Sequence, residues 1–367
     1  MFVITRGILR PVLAACAAFG AMAFSGACAD PASSGQTTVV LSARHPSGQP
    51  AIGAVLETTQ EILLRRLQAA GFVNPVLTST DSEITITVSG VHESDDFRGI
   101  VASGAVRFRK VLGVTVPQTA EDGGVAPGPP VWPTLAEVRS KLGAVYEAAD
   151  AIDVATVAIT GVSVTSAELD AFAGLSPYEV AVLPYGIQFA VGQITCEMLD
   201  ARPIGAIEDP TQRAVACDEG YKYLLDVAKV LDSDIADAQA GDDGFGLGLG
   251  KVDLTFSASG AGKWEALTGE AYRNDGESML SGPGVTGIPA NPACAATELS
   301  SVDGSAVCRV AIVLDNQIVS APWVERASAS AAIVGQFNEA DARILANQLR
   351  SDPLPVVLEF VAVDSVA

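Results

Sequence analysis

Catalysis or ligand chemistry needs nucleophiles, bases, metal ligands or phosphate cradles at workable spacing, and this chain offers few. Its 367 residues include two histidines, His45 and His92. A Ser-His-Asp relay or a histidine metal site would have to use one of them, and both stand beside predicted turns, where a solvated loop residue is the ordinary reading. Residues 244–250 (GFGLGLG) lack the G-x-G-x-x-G spacing between a strand and a helix and read as a glycine hairpin. Gly260-Ala261-Gly262-Lys263 resembles the end of a phosphate loop, yet Trp264 stands at the Ser/Thr position and the upstream glycine is misplaced. Asp232, Asp234, Asp237, Asp242 and Asp243 cluster without the alternating ligands, central glycine and closing Glu of a calcium loop. They read as a solvated acidic face. Neither metal nor cofactor is expected, and of the functional readings a hydrolase comes last.

Four apolar residues remain as candidates for binding: Phe256, Trp264, Pro322 and Trp323. Aromatics at strand and helix positions are ordinarily core. If exposed, these four would form a patch suited to unfolded polypeptide.

A formal charge of -21 excludes a phosphate-binding footprint, so no nucleic-acid partner is expected. Arg6 and Arg10 precede an apolar stretch, residues 12–24, shorter than the roughly 20 residues that span a bilayer. Residues 1–28 therefore read as a targeting segment with three outcomes. Cys28 is lipidated after Ser25-Gly26-Ala27, the segment is cleaved near Ala27-Cys28-Ala29, or it stays as an uncleaved anchor. All three place the bulk of the chain outside the cytoplasm. Beyond Cys16 and Cys28 the chain has Cys196, Cys217, Cys294 and Cys308, an even number suited to an oxidising compartment. Three pairings are open, and closeness favours Cys196 with Cys217 and Cys294 with Cys308. A four-cysteine metal site would want a C-x-x-C pair, which is missing.

The elements that position these residues follow from periodicity. Residues 37–44 are β-branched and read as a strand; residues 54–70 read as a helix with Leu56, Leu63, Leu67 and Ala70 on one face and Gly71 as its stop. Ile84, Ile86 and Val88 alternate with threonines as in a half-buried strand, followed by a short helix over 94–102 and a strand over 106–111. Those pieces suggest a β-α-β-α-β unit. Residues 114–133 are rich in Gly and Pro and form a linker or loop. A capping box, Thr134 with Glu137, opens a helix through Leu142 and Val145, and Thr165 with Glu168 repeats the signal. Further on come a helix over 234–240, strands over 252–256 and 309–314 and near Ile333, and helices over 261–267 and 339–349. Asn338 can cap the last helix, with Ile344, Leu345 and Leu349 on its buried face. Val356, Leu358 and Phe360 then return a strand to the first unit.

The stretch 310–360 resembles the end of the first extracytoplasmic domain of SecD, an accessory subunit of the bacterial Sec export machine. Leu314-Asp315-Asn316 stands at a Leu-Asp-Gly-like turn, Ser320-Ala321-Pro322 at a Ser-Ala-Pro, Gly335-Gln336-Phe337 at a helix-capping Gly-x-Phe, and Leu354-Pro355 at a Leu-Pro before the final strand. Upstream, the segment from Arg66 to Gly71 and the strand Phe108-Arg109-Lys110-Val111 match the family's pattern, whereas Val88-Ser89-Gly90 replaces its Leu-Pro-Gly turn. Ile194-Thr195-Cys196 through Cys217, ahead of Lys222-Tyr223-Leu224-Leu225, is similar to an insertion in actinobacterial members. The resemblance covers residues 37 to 363. It implies an α+β protein with a ferredoxin-like base (36–113 and 353–363), a linker and helical insertion (114–217) and an inserted α+β head (218–352). Its expected partners are translocating preproteins and Sec subunits such as SecY and SecF, with the membrane reached through a lipid or an N-terminal anchor. The family's motor uses later transmembrane helices, so binding without proton-driven motion is the expectation. The alternative keeps the fold and has a surface lipoprotein binding another peptide or envelope component.

Overall fold

The computed structural model describes residues 35–45, 49–116, 132–242, 249–273, 293–295, 307–334 and 338–366. Cys16, Cys28, Asp243, the glycine turn 244–248 and Gly335-Gln336-Phe337 lie outside the described residues. The chain opens with β1 (Gln36–Arg44), α1 (Ala54–Ala69), β2 (Val73–Thr80), β3 (Glu83–Ser89), α2 (Ser94–Val101) and β4 (Val106–Val114). Six short helices follow: α3 (Leu135–Leu142), α4 (Ala144–Asp150), α5 (Val154–Thr160), α6 (Pro177–Ala181), α7 (Tyr185–Ala190) and α8 (Cys196–Asp200). Then come β5 (Ala214–Asp218), β6 (Tyr221–Leu231), β7 (Ile235–Asp242), β8 (Gly250–Phe256) and α9 (Ala258–Arg273). The chain closes with β9 (Cys294–Ala295), β10 (Val307–Cys308), β11 (Val310–Leu314), β12 (Gln317–Ser320), β13 (Ala331–Val334), α10 (Glu339–Arg350) and β14 (Val357–Val366).

The base is a four-stranded antiparallel sheet in the order β14-β1-β3-β2, with α1 and α2 on one face. This is the ferredoxin-like order, completed only when β14 returns beside β1. Everything between α2 and β14 is an insertion. Residues on alternate positions of β1 and β3, Val39, Leu41, Ile84, Ile86 and Val88, bury against Leu56, Leu63 and Leu67 of α1 and Phe97 of α2. Two elements differ from the sequence reading. The strand β2 was not foreseen, and β4 joins a second sheet instead of the base. Ala70, expected on the buried face of α1, is exposed at its end. Opposite Val40 and Leu41 of β1, β14 carries a bulge at Val361; Val356, Val357 and Leu358 are buried, and Phe360 is exposed although it pairs with Leu41.

The second sheet has five strands in the order β12-β11-β4-β6-β5 and is covered on both sides. Leu112, Val215 and Leu224 face the helices of the insertion, while Phe108, Val111, Leu225, Val230 and Ile312 face α9 and the head. The insertion's first helix begins at the expected capping box, where Thr134 Oγ1 accepts from Glu137 N and Glu137 accepts from Thr134 N. That helix ends at Gly143, whose φ of +56° breaks the chain into α3 and α4 where one helix through Val145 was expected. The start near Thr165 is also shifted. A 3-10 turn, Ala167–Gly174, begins after Ser166 without a side-chain cap. Cys196 is bonded to Cys217 (Cα–Cα 5.6 Å) and Cys294 to Cys308 (4.0 Å).

The head adds a three-stranded sheet, β13-β8-β7, against which α10 packs. Residues 235–242 form β7 where a helix was expected. Asp234 closes a tight turn by accepting from Leu231 N (3.0 Å), and pairing along β8 outweighs the helical preference of the alanines. The expected acidic face is also partly buried. Asp234 bonds Lys263 Nζ at 2.7 Å, and Asp232 bonds Arg107 at 2.9 Å. Lys263 thus serves an ion pair. A Cβ at Gly260 would stand 2.3 Å from the carbonyl oxygen of Asp234, which explains a glycine there without any phosphate. On α10, Leu345 and Leu349 are buried but Ile344, expected on the same face, is exposed and lies near Gly99 of the base.

Both connections between base and head run through one polar junction. Arg66 on α1 donates to the carbonyls of Ile100, Ala102, Ser103 and Asp352 and to Ser351 Oγ. Burial lowers its pKa to about 10, so it stays charged at neutral pH. From the β11–β12 turn, Asp315 accepts from the backbone N–H groups of Gly104 (2.9 Å) and Ala105 (3.3 Å). Burial first, and then the charge of Glu208, push its pKa up to about 6. The folded value lies above the ordinary 3.8, so this group's stabilising contribution is full below about pH 4 and is lost as pH rises through 6. An Asp315→Asn variant keeps the acceptor and tolerates the φ of +55°. Relative to the parent, it is expected to gain on the order of 3 kcal/mol between pH 4 and pH 7, read from urea unfolding. Parallel pH profiles for the two proteins would refute the raised carboxyl.

Candidate functional site

The four apolar candidates separate into two groups. Trp264, on α9, is only 6 % exposed, donates Nε1–H to the carbonyl of Ser330 (3.0 Å) and meets Phe108 edge-on at 5.4 Å. Phe256 ends β8 stacked on Trp264 at 5.7 Å and edge-on to Phe108 at 5.9 Å. These rings hold the head's core together. Trp264 is therefore placed in the head's core, and Phe256, partly buried, is its packing partner.

Pro322 and Trp323 are placed differently. The segment 322–324 runs antiparallel to 308–310: Val310 N donates to Pro322 O (3.2 Å), Val324 N to Cys308 O (3.1 Å), and Arg309 bridges Trp323. Buried Ala321 and Val324 anchor the segment on either side. Between them Pro322 is exposed and Trp323 half-buried. The Cys294–Cys308 bond secures the strand beneath, where Arg309 N also donates to Ala293 O (3.1 Å).

Arg309 completes the corner, a residue that the sequence reading missed. Its guanidinium lies 4.2 Å from the centroid of the Trp323 ring, and Nη1 donates to Ala321 O at 3.0 Å. The cation fixes one face of the indole by cation–π attraction. Across the sheet, the β5–β6 turn brings Asp218 and Tyr223 within its field. Burial pushes both of their pKa values up, and Arg309 works against that rise. The clue in the sequence was a lone arginine between Cys308 and the apolar run 310–314.

The corner thus presents a held indole, an exposed proline and acidic neighbours. It offers a surface for an apolar side chain and no nucleophile–base pair. Neither histidine is part of it: His92 stacks near Phe72 (4.9 Å) and lies 3.5 Å from Asp96 in the base, and His45 is in the loop after β1. Among the described residues no group of three or more His, Cys, Asp or Glu is arranged to hold a metal, and no helix is long and apolar enough to cross a membrane.

Comparison with known proteins gives three kinds of likeness. Residues 295–356, which include Arg309, Pro322 and Trp323, match the SecDF P1 head subdomain. The chain is 27 % identical over 164 residues to the protein translocase subunit SecD of Streptomyces coelicolor, covering 43 % of this chain and 24 % of that protein. It is 30 % identical over 143 residues to SecD of Elusimicrobium minutum, covering 39 % of this chain and 23 % of that protein. The chain thus matches about a quarter of the length of these relatives. Two solved SecDF structures also align at 19 % identity. One, in a super-membrane-facing form, has a TM-score of 0.45 over 90 % of this chain and 30 % of the other; the second has 0.43 over 89 % and 98 %. On the head match and the two SecD relatives, the chain is α+β in class and similar to a SecD extracytoplasmic domain, and its residues 295–356 match the SecDF P1 head subdomain.

Proposed function

We propose that this chain works in protein export through the Sec pathway, as an extracytoplasmic module that binds emerging polypeptide. The Pro322–Trp323 corner over Arg309 carries the reading, because it sets a half-buried indole beside an exposed proline inside the segment that matches the SecDF head. A half-buried indole with one face held by a cation is rigid, so little entropy is lost when an apolar side chain packs on its free face. The chain's charge of -21 favours extended segments that carry basic residues. Translocating preproteins are the proposed ligands, and Sec subunits such as SecY and SecF the proposed neighbours. An N-terminal membrane tether, through lipidated Cys28 or the apolar stretch 12–24, would keep the module beside the channel. The proposal concerns binding and assigns no motor activity.

Photo-crosslinking in cells from a benzoylphenylalanine at position 323 tests it. The expected result is capture of exported precursors, identified by mass spectrometry, with yield reduced at least about tenfold when position 256 carries the probe. A Trp323→Ala variant with unchanged thermal unfolding is expected to bind an unfolded precursor about tenfold more weakly, as for a truncated aromatic hot spot. Equal affinity of variant and parent would remove the corner from the proposal.

A further inference from the structure

The Trp323 corner lies toward one end of the five-stranded sheet, and the neighbouring strands leave further apolar groups exposed at that end. Lys222 of β6 points to the insertion, where it donates to Gln188 O (3.0 Å), so Tyr221 and Tyr223 fall on the other face, toward the head. Tyr223 is buried in that face, whereas Tyr221, the first residue of β6, is 37 % exposed. Beside it β4 runs out: Val114 pairs with Tyr223, Thr115 N donates to Lys222 O (2.9 Å), and Val116 follows, 50 % exposed. Val116 N donates in turn to Gly161 O (2.7 Å), which ties the sheet's end to the insertion at the residue before Val162, itself 57 % exposed. From Val111, whose N–H donates to Arg309 O, to Val116 is five positions of strand, roughly 16 Å.

Between the corner and those valines stands an acidic turn. β5 and β6 are joined by Glu219-Gly220, both at positive φ (+48° and +83°), with Asp218 paired to Tyr221. The Cys196–Cys217 bond fastens the strand just before it. The outer strands β5 and β12 approach each other, so the sheet curls and the turn comes within the field of Arg309. Arg309 does not neutralise the turn. Its guanidinium is taken up by the Trp323 ring and Ala321 O, and burial of Asp218 together with the charge of Glu219 outweighs it. Neither carboxylate makes an ion pair among the described residues.

We infer that corner and turn form one strip for an extended polypeptide, with an apolar side chain on Trp323, a basic one against Asp218 and Glu219, and a second apolar one on Tyr221, Val116 and Val162. The inference rests on the polypeptide-binding reading of Trp323 given above and names the sequence pattern that the site selects. An extended chain rises about 3.3 Å per residue, so the span fits two apolar residues about five positions apart with the basic residue between them. Charge decides the class of occupant. Two uncompensated carboxylates among exposed apolar groups repel acidic segments, nucleic acid and anionic headgroups alike, and attract lysine or arginine. The helical insertion thereby takes part in binding, because Val162 belongs to it and Gly161 holds the end of β4 in place.

Fluorescence anisotropy of the full 367-residue chain with two labelled, unstructured peptides tests the strip. Both peptides carry leucines five positions apart; one has a lysine between them and the other norleucine at the same place. The parent is expected to bind the lysine peptide about tenfold more tightly, and the Asp218→Asn, Glu219→Gln double variant to bind the two alike. Glu219→Gln alone, at an exposed turn position, is expected to remove about threefold of that preference. Val162→Ser, with thermal unfolding as in the parent, is expected to weaken both peptides about fivefold. A lysine preference unchanged in the double and single turn variants, or affinity unchanged in Val162→Ser, with Trp323→Ala still weakening both peptides, would overturn the strip and leave the corner standing. Peptides that bind parent and Trp323→Ala equally, or bind neither, would overturn the corner and the strip together.

Discussion

An Arg109→Met variant is expected to unfold at roughly 3–5 kcal/mol less cost than the parent, the order expected when several buried carbonyls lose a charged donor. Arg109 lies on β4, in the middle strand of the five-stranded sheet, and is completely buried. Its guanidinium donates to four backbone carbonyls: Gln212 (2.6 Å), Asp226 (2.8 Å), Asp209 (2.9 Å) and Ile207 (3.1 Å). Three of them belong to the loop that leads from the insertion into β5. Burial lowers the pKa of Arg109 to about 10, which still leaves it charged at neutral pH. Methionine fills much of the same volume but has no donor, so these acceptors lose a charged partner at a buried site. Urea unfolding measures the loss, and hydrogen exchange at residues 207–212 locates it. A change under 1 kcal/mol would mean that water or the loop's own backbone replaces the guanidinium. Lysine is expected to recover only part, since one ammonium cannot reach a fan of four acceptors.

That arginine illustrates how much could be read from the chain. Charges at 107, 109 and 110 inside an otherwise apolar strand were visible, and the strand itself was placed correctly over 106–111. Burial of Arg109 was not legible, because its acceptors lie about a hundred residues away. The same holds for sheet membership. Local pattern identified β4 as a strand, but its partners β6 and β11 are set by long-range pairing. The strand β2 escaped for a local reason: Pro75 and a run of half-exposed polar residues leave no strict alternation. The helix expected over 234–240 failed because small alanines fit helix and strand alike, and β8 decided between them. By contrast, the return of β14 to the base was readable from the apolar run of residues 356–358, since an apolar stretch after a Leu-Pro survives without context. At the candidate site Pro322 and Trp323 could be named from residue type but not their exposure, and the cation beneath them needed the bridge between 309 and 323.

Lys222 should give the chain an unusual alkaline stability profile. It sits on β6, completely buried, and its ammonium donates to the carbonyls of Val191 (2.6 Å) and Gln188 (3.0 Å) at the C-terminal end of α7. Those carbonyls have no partner within the helix, so the lysine caps α7 and fastens the helical insertion to the sheet. Burial lowers its pKa from the ordinary 10.5 to about 7. The folded chain then binds fewer protons at this site than the unfolded chain between pH 7 and 10.5, so stability rises with pH across that window. The contribution is full above 10.5 and is lost as pH falls through 7. Between pH 7 and pH 10 the parent is expected to gain roughly 4 kcal/mol relative to Lys222→Met, at about 1.4 kcal/mol per pH unit. The double difference, parent against variant at each pH, removes the titration of surface groups common to both. A flat difference would show that the ammonium keeps its ordinary pKa, and that the two carbonyls offset its burial in full. A rise confined to pH 7–10 would identify Lys222 as a group neutralised in the folded chain, holding α7 by hydrogen bonds that do not depend on its charge.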